Sequence, residues 1–262
     1  MTYLTPHLPF SGSTPALPPP KSYLIISDTL QSPAHWALYH LFAAAISEQR
    51  KIVLVDFRND GRASLEAVLR KLGTTLPSQP DLFTHIFPSS FPNDSPSAPS
   101  LFTSNDAPTL RPTYQVISES LDSGALVVLD GLSDLVNIGF SVPEVGRFVR
   151  AVLSLVRNSR ASLVSTLHAD ELLSSSVSTS PPSNSLDLLE RLLRIGSIWW
   201  RVQQLSTGRS SDVHGEISCH ILSPPTEDRH GWTQVPKANP LQYRLEERTV
   251  RVFPKGTGRG YL

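Results

Sequence analysis

With 262 residues and 39% hydrophobic content, the chain can bury one substantial core, and its length suits one large α/β domain better than two independent ones. Lys plus Arg and Asp plus Glu each number 23, so a formal net charge of zero excludes a global basic field, and any phosphate contact must come from local clusters. The single cysteine, Cys219, excludes an internal disulfide and a cysteine-based zinc site, and no window approaches the ~18 apolar residues of a membrane span, so the expectation is a soluble intracellular protein.

Residues 1–20 hold six of the 23 prolines and read as an extended or disordered leader. Residues 22–27, SYLIIS, form a first buried strand, followed by Asp28 to Pro33 and a helical run from His35 to Gln49 that is apolar over most of its surface. A phosphate-binding loop belongs at this strand–loop–helix junction. It needs glycines so that backbone N–H groups can close around phosphate and a lysine for the outer oxygens, and Asp28 to Pro33 contains neither. A second buried strand, Lys51 to Asp56, again ends in a carboxylate. Leu65, Val68, Leu69 and Leu72 then make one face of a helix that Gly73 stops. Eight prolines fall between Pro77 and Pro112, so residues 74–112 read as a low-complexity insertion without regular backbone, in which Phe83, Phe87, Phe91 and Phe102 are available to dock.

A helix from Thr113 to Asp122 leads into the stretch the chain is organised around, GALVVLDGLSDL at Gly124 to Leu135. Its unbroken apolar run ending in Asp130 is how a strand buried on both faces of a parallel sheet delivers a carboxylate to the carboxyl-end crevice, the Walker-B position of nucleotide hydrolases. Ser141 and Glu144 have capping-box spacing, and the helix they open runs to about Arg157, with Val145, Phe148, Val149, Val152 and Val156 inward and Arg147, Arg150, Arg157 and Arg160 outward. A strand from Ala161 to Leu167 follows, then a Ser and Pro-rich loop, 171–185, expected to be mobile, and a short helix from Leu186 to Leu193. Ile195 to Val202, Asp212 to Leu222 and Gln242 to Phe253 alternate as consecutive antiparallel strands would.

This order of β/α units followed by antiparallel strands is the layout of RecA-like domains. More narrowly, VVLDGLSDLVNIGFSVPEVGRFVRAV, DVHGEI at Asp212 to Ile217 and LQYRLEERTVRVFPKGTG at Leu241 to Gly258 resemble Elongator complex protein 6 in its fungal form. The resemblance implies one RecA-like domain over residues 21–262, three-layered, with a mostly parallel central sheet. It further implies a subunit without a working phosphate loop that joins two paralogues, Elongator complex proteins 4 and 5, in a hetero-hexameric ring with two copies of each. That ring serves the catalytic Elongator subassembly in wobble-uridine tRNA modification and binds tRNA, in the cytoplasm and by extension the nucleus, with no membrane. No cofactor is expected on this chain alone, ATP and Mg²⁺ belonging to ring interfaces through partner subunits.

Asp130 is the one cofactor-binding candidate, as a Walker-B-like remnant, against a plain strand-end carboxylate. Arg147, Arg150, Arg157 and Arg160 are candidates for RNA phosphates, against a solvated helix face. Adjacent Trp199 and Trp200 must point to opposite sides of a strand, so one is a candidate interface anchor. No catalytic residue and no metal site is assigned: His168 and Asp170 lack a nucleophile, and the pairs Asp212/His214 and Cys219/His220 read as incidental. A divergent stand-alone NTPase and a RecA-like scaffold for DNA repair remain open alternatives.

Overall fold

The computed structural model describes residues 4, 17–89, 98–103, 107–170, 184–205, 213–223 and 240–255. Among these residues nine strands form one sheet: β1 (Tyr23–Asp28), β2 (Ile52–Asp56), β3 (Phe83–Ile86), β4 (Leu126–Asp130), β5 (Ser162–His168), β6 (Ile198–Gln203), β7 (Gly215–Ile221), β8 (Leu241–Leu245) and β9 (Val250–Pro254). Their order is β3-β2-β4-β5-β1-β6-β7-β8-β9, parallel from β3 through β6 and antiparallel from there on. This is a RecA-like α/β architecture.

Strands β1, β2 and β4 are buried at every position because helices cover both sides of the sheet, which is why their sequences run apolar without alternation. On one side Leu24, Ile26, Leu54, Leu126 and Val128 pack with α1 (His35–Ser47) and α2 (Arg62–Lys71). On the other, Tyr23, Ile25, Val53, Val55, Val127 and Leu129 pack with α3 (Arg111–Ser120), α4 (Leu132–Asn137), α5 (Val142–Asn158) and α6 (Asn184–Leu193). The α5 start is built as the spacing predicts: Glu144 Oε2 accepts from the Ser141 amide at 2.9 Å and its hydroxyl at 2.6 Å. Gly73 follows α2 with φ +78°, the left-handed conformation that ends a helix most easily at glycine. Cys219 of β7 lies opposite Trp200 of β6, partly buried, and desolvation pushes its thiol up to about 12.

Several elements differ from the sequence-based expectation. The insertion 74–112 contributes β3, a four-residue edge strand paired in register with β2, because Phe83 and Ile86 are drawn into the two cores although prolines flank them. Phe102 also docks, 6.0 Å from the Phe140 ring, while Phe91 lies outside the described residues. The last β-rich stretch is a hairpin of two strands, closed where Glu246 N donates to Thr249 O. Within the expected leader, Leu4 and Leu17 are buried, and the Leu4 amide donates to His40 Nδ1 of α1 at 3.2 Å. The loop 171–183 and the glycine-rich end from Gly256 lie outside the described residues.

Candidate functional site

Parallel pairing in register brings the last residues of four central strands into one line: Asp28 beside His168, and Asp56 beside Asp130. A line of strand-end polar groups at the carboxyl edge of a parallel sheet is where this architecture places ligands. Hydrophobic strands carry these groups to a buried position, and each must then find a partner or lose its charge.

The partner is Arg58, two residues beyond β2, whose side chain is only 10% exposed. Its Nε donates to Asp130 Oδ1 at 3.2 Å, one terminal nitrogen lies 3.1 Å from His168 Nε2, and the other donates to Thr166 Oγ1 at 3.4 Å and stands 4.0 Å from Asp28 Oδ2. The Thr166 hydroxyl donates to Asp130 Oδ1 and accepts from the Gly131 amide. Gly131 has φ +86°, and a Cβ there would fall 2.5 Å from Arg58 Cγ, so only glycine lets the arginine stem pass the turn after β4.

The turn after β1 is closed by its own chain. Thr29 and Ser32 pair across it, Asp28 Oδ2 accepts from Ala34 N at 2.7 Å at the start of α1, and Leu30 N donates to Asp170 Oδ1 at 2.9 Å. An N–H at a helix start is an anion site, and here a protein carboxylate fills it. Asp28 Oδ1 meets His168 Nδ1 at 2.5 Å. That bond raises the His168 pKa, against the lowering effect of its partial burial.

The other carboxylates divide by surroundings. Burial drives the Asp130 carboxyl upward in pKa, and the attraction of Arg58 and the Thr166 hydrogen bond only partly offset it. Burial would also raise Asp56, but hydrogen bonds from His85 and the Gly61 amide outweigh it and hold that carboxyl below its usual range. About 20 Å³ of free space remains beside these groups, lined by His35, Tyr39, Asp56, Asp60, Asp130 and neighbours. A single water-sized particle fits such a volume.

Of the site candidates taken from sequence, Asp130 lies in this crevice, together with His168 and Asp170, which the sequence reading set aside for want of a nucleophile. Arg147, Arg150, Arg157 and Arg160 are exposed on or just after α5. Arg150 and Arg157 join Arg194 along an open groove of about 460 Å³ that, among the described residues, no acidic side chain lines. Because α5 ends where β5 begins, Arg157 lies at the amino end of the sheet, away from the crevice. Trp200 belongs to the core beneath α1, whereas Trp199 is half-buried on the other face, donating from Nε1 to Ser27 Oγ at 2.8 Å with its ring 4.9 Å from that of His220. His214 accepts from the Leu245 amide, and His220 pairs with Ser218. Arg58 and Arg194 escaped sequence reasoning. For Arg58 the available signal was an arginine just past a strand-end aspartate in a chain lacking the phosphate-loop lysine.

A family model described as Elongation complex protein 6 matches residues 11–247, most of the chain and both sides of the sheet. A comparison with curated proteins gives no match.

Proposed function

The chain belongs to the Elongation complex protein 6 family, whose members are Elongator subunits involved in tRNA modification, and on that footing we propose that it is a non-catalytic ring subunit, acting through what it docks against. One observation carries this reading: both charge positions of a nucleotide site are filled from within, the anion position at the start of α1 by Asp28 and the cation position over the strand ends by Arg58. A domain that fills its own anion position and sets Arg58 over its strand ends keeps the RecA-like scaffold as an assembly surface.

In this reading the chain joins Elongator complex proteins 4 and 5 in a hetero-hexamer with two copies of each, in the cytoplasm or nucleus, and any ATP and Mg²⁺ are held at ring interfaces by partner subunits. The basic groove of Arg150, Arg157 and Arg194, with Arg147 and Arg160 beside it, is the surface offered to tRNA phosphates. Of the two tryptophans, half-buried Trp199 is the one offered to a partner, since Trp200 is committed to the core.

Native mass measurement after co-expression with both paralogues tests the assembly. A six-membered particle containing two copies of this chain is expected, and a chain that stays out of every such particle refutes the proposal. Calorimetry of the isolated chain with Mg-ATP should give no binding heat. One-to-one binding would restore the reading of a divergent NTPase. Replacing Arg150, Arg157 and Arg194 by Glu in the assembled ring should weaken tRNA binding and flatten its salt dependence.

A further inference from the structure

We propose that His35, Asp60 and Asp130 form a binding site for one first-row divalent metal ion of the Zn²⁺ class, independent of nucleotide and of ring assembly. The three residues come from separate segments, the first residue of α1, the loop between β2 and α2, and the end of β4, and their ligand atoms all lie within 4.8 Å of one another. The His35 Nε2 to Asp60 Oδ2 distance is 3.6 Å. Two ligands of a tetrahedral ion with bonds of about 2.0–2.2 Å stand roughly 3.3–3.5 Å apart, so this pair already has nearly the required spacing. Asp60, exposed and next to Asn59 at φ +67°, is on a turn that can bring its carboxylate the rest of the way.

Three further observations point to a cation rather than to a chance cluster. His35 Nε2 is buried and, among the described residues, has no partner within hydrogen-bond distance, facing Asp60 Oδ2 at 3.6 Å. Among the described residues both side-chain hydrogen bonds to Asp130, from Arg58 and Thr166, end on Oδ1, so Oδ2 remains for a ligand bond while Oδ1 is held fixed, as the outer partners of a metal ligand hold it. The free space at this point, about 20 Å³, fits one ion and little more. Charge agrees: among the described residues, Asp56, Asp60 and Asp130 line this space and no lysine or arginine does. Tyr39, lining the same space, has its hydroxyl pushed up to about 12, first by burial and then by the charges of Asp130 and Asp60.

The donor set selects the ion. One imidazole nitrogen with two carboxylates suits Zn²⁺ or its first-row neighbours, whereas Ca²⁺ asks for six to eight oxygens and Mg²⁺ for an octahedral oxygen shell. With three protein ligands, the remaining position falls to water. The ion would tie the first turn of α1 to the β2–α2 loop and to the core of the sheet.

The test uses the full chain stripped of metal, titrated with ZnCl₂ by calorimetry and followed by thermal unfolding. One Zn²⁺ per chain is expected, with the unfolding midpoint raised by about 5–10 °C at a hundredfold excess over Kd. His35→Ala and Asp60→Ala, both at the rim, should each weaken binding at least tenfold and leave the metal-free midpoint nearly unchanged. Co²⁺ should give a ligand-field spectrum without a thiolate band, which sets Cys219 aside. Absence of a Zn²⁺-dependent rise overturns the proposal. Undiminished binding in either variant does the same, because the ion then sits on other histidines, and so does equal binding of Mg²⁺.

Discussion

Replacing Arg58 by Met removes the guanidinium and keeps most of the stem. Asp130, 9% exposed, is then left with the Thr166 hydroxyl but no guanidinium, and Asp28, 1% exposed, keeps only His168. Breaking a buried ion pair from one side costs about 3–5 kcal/mol, which in a domain of this size lowers the unfolding midpoint by roughly 6–20 °C. The loss has a pH signature. Asp130 is already shifted upward by burial, with Arg58 as the first opposing influence, so without Arg58 it rises further. A carboxyl whose folded pKa lies above its unfolded value favours the native state at low pH and opposes it as pH rises through the folded value. The Arg58→Met penalty should therefore be largest near pH 8 and shrink toward pH 5. Adding Asp130→Asn should recover part of it, since the stranded charge is then gone. Urea unfolding followed by tryptophan fluorescence across that pH range reads all three. A penalty below about 1 kcal/mol at pH 8, or one that does not change with pH, would show that the network does not neutralise buried charge.

His168 is shifted upward chiefly by its hydrogen bond to Asp28, so its stabilisation is full below the ordinary histidine value and lost as pH rises through the higher folded one. His168→Asn should flatten the alkaline side of the stability curve and cost about 1.5–3 kcal/mol at pH 6 in denaturant titrations. His40, buried in α1 and pushed down to about 3, acts in the opposite sense: stability falls as pH drops from 6.5 toward 3, by up to about 5 kcal/mol. His40→Leu should shift acid unfolding, followed by circular dichroism, to lower pH. Gly131→Ala would require a left-handed alanine whose Cβ meets Arg58 Cγ at 2.5 Å and Asp134 Oδ2 at 2.7 Å, so a loss of about 2–4 kcal/mol is expected in thermal unfolding.

The parallel half of the fold was legible because burial on both faces writes itself as unbroken apolar runs, and the strand ends at Asp56 and Asp130 fell where those runs stop. The start of α5 was legible because a capping box is local. What escaped depends on distant partners. β3 is four residues long, stabilised by β2 and by two cores rather than by its own pattern, and α4 is six residues, shorter than two helical turns. Arg58 reaches residues 72 and 110 positions away, and no spacing rule joins them. The same holds for His35, Asp60 and Asp130, which only the topology brings together. The β7–β9 end was readable as antiparallel, but the turn between Leu245 and Val250 carries no glycine or proline to mark it.

Cys219 has a practical consequence. Alkylating reagents attack the thiolate, and with the thiol pushed up to about 12 only roughly one molecule in a hundred thousand carries it at neutral pH. The wild-type chain should thus be nearly inert to maleimides while folded. A cysteine introduced at the exposed Ser154, beside Arg150 and Arg157, would take up a fluorophore almost alone, so a dye there reports directly on whatever enters that groove.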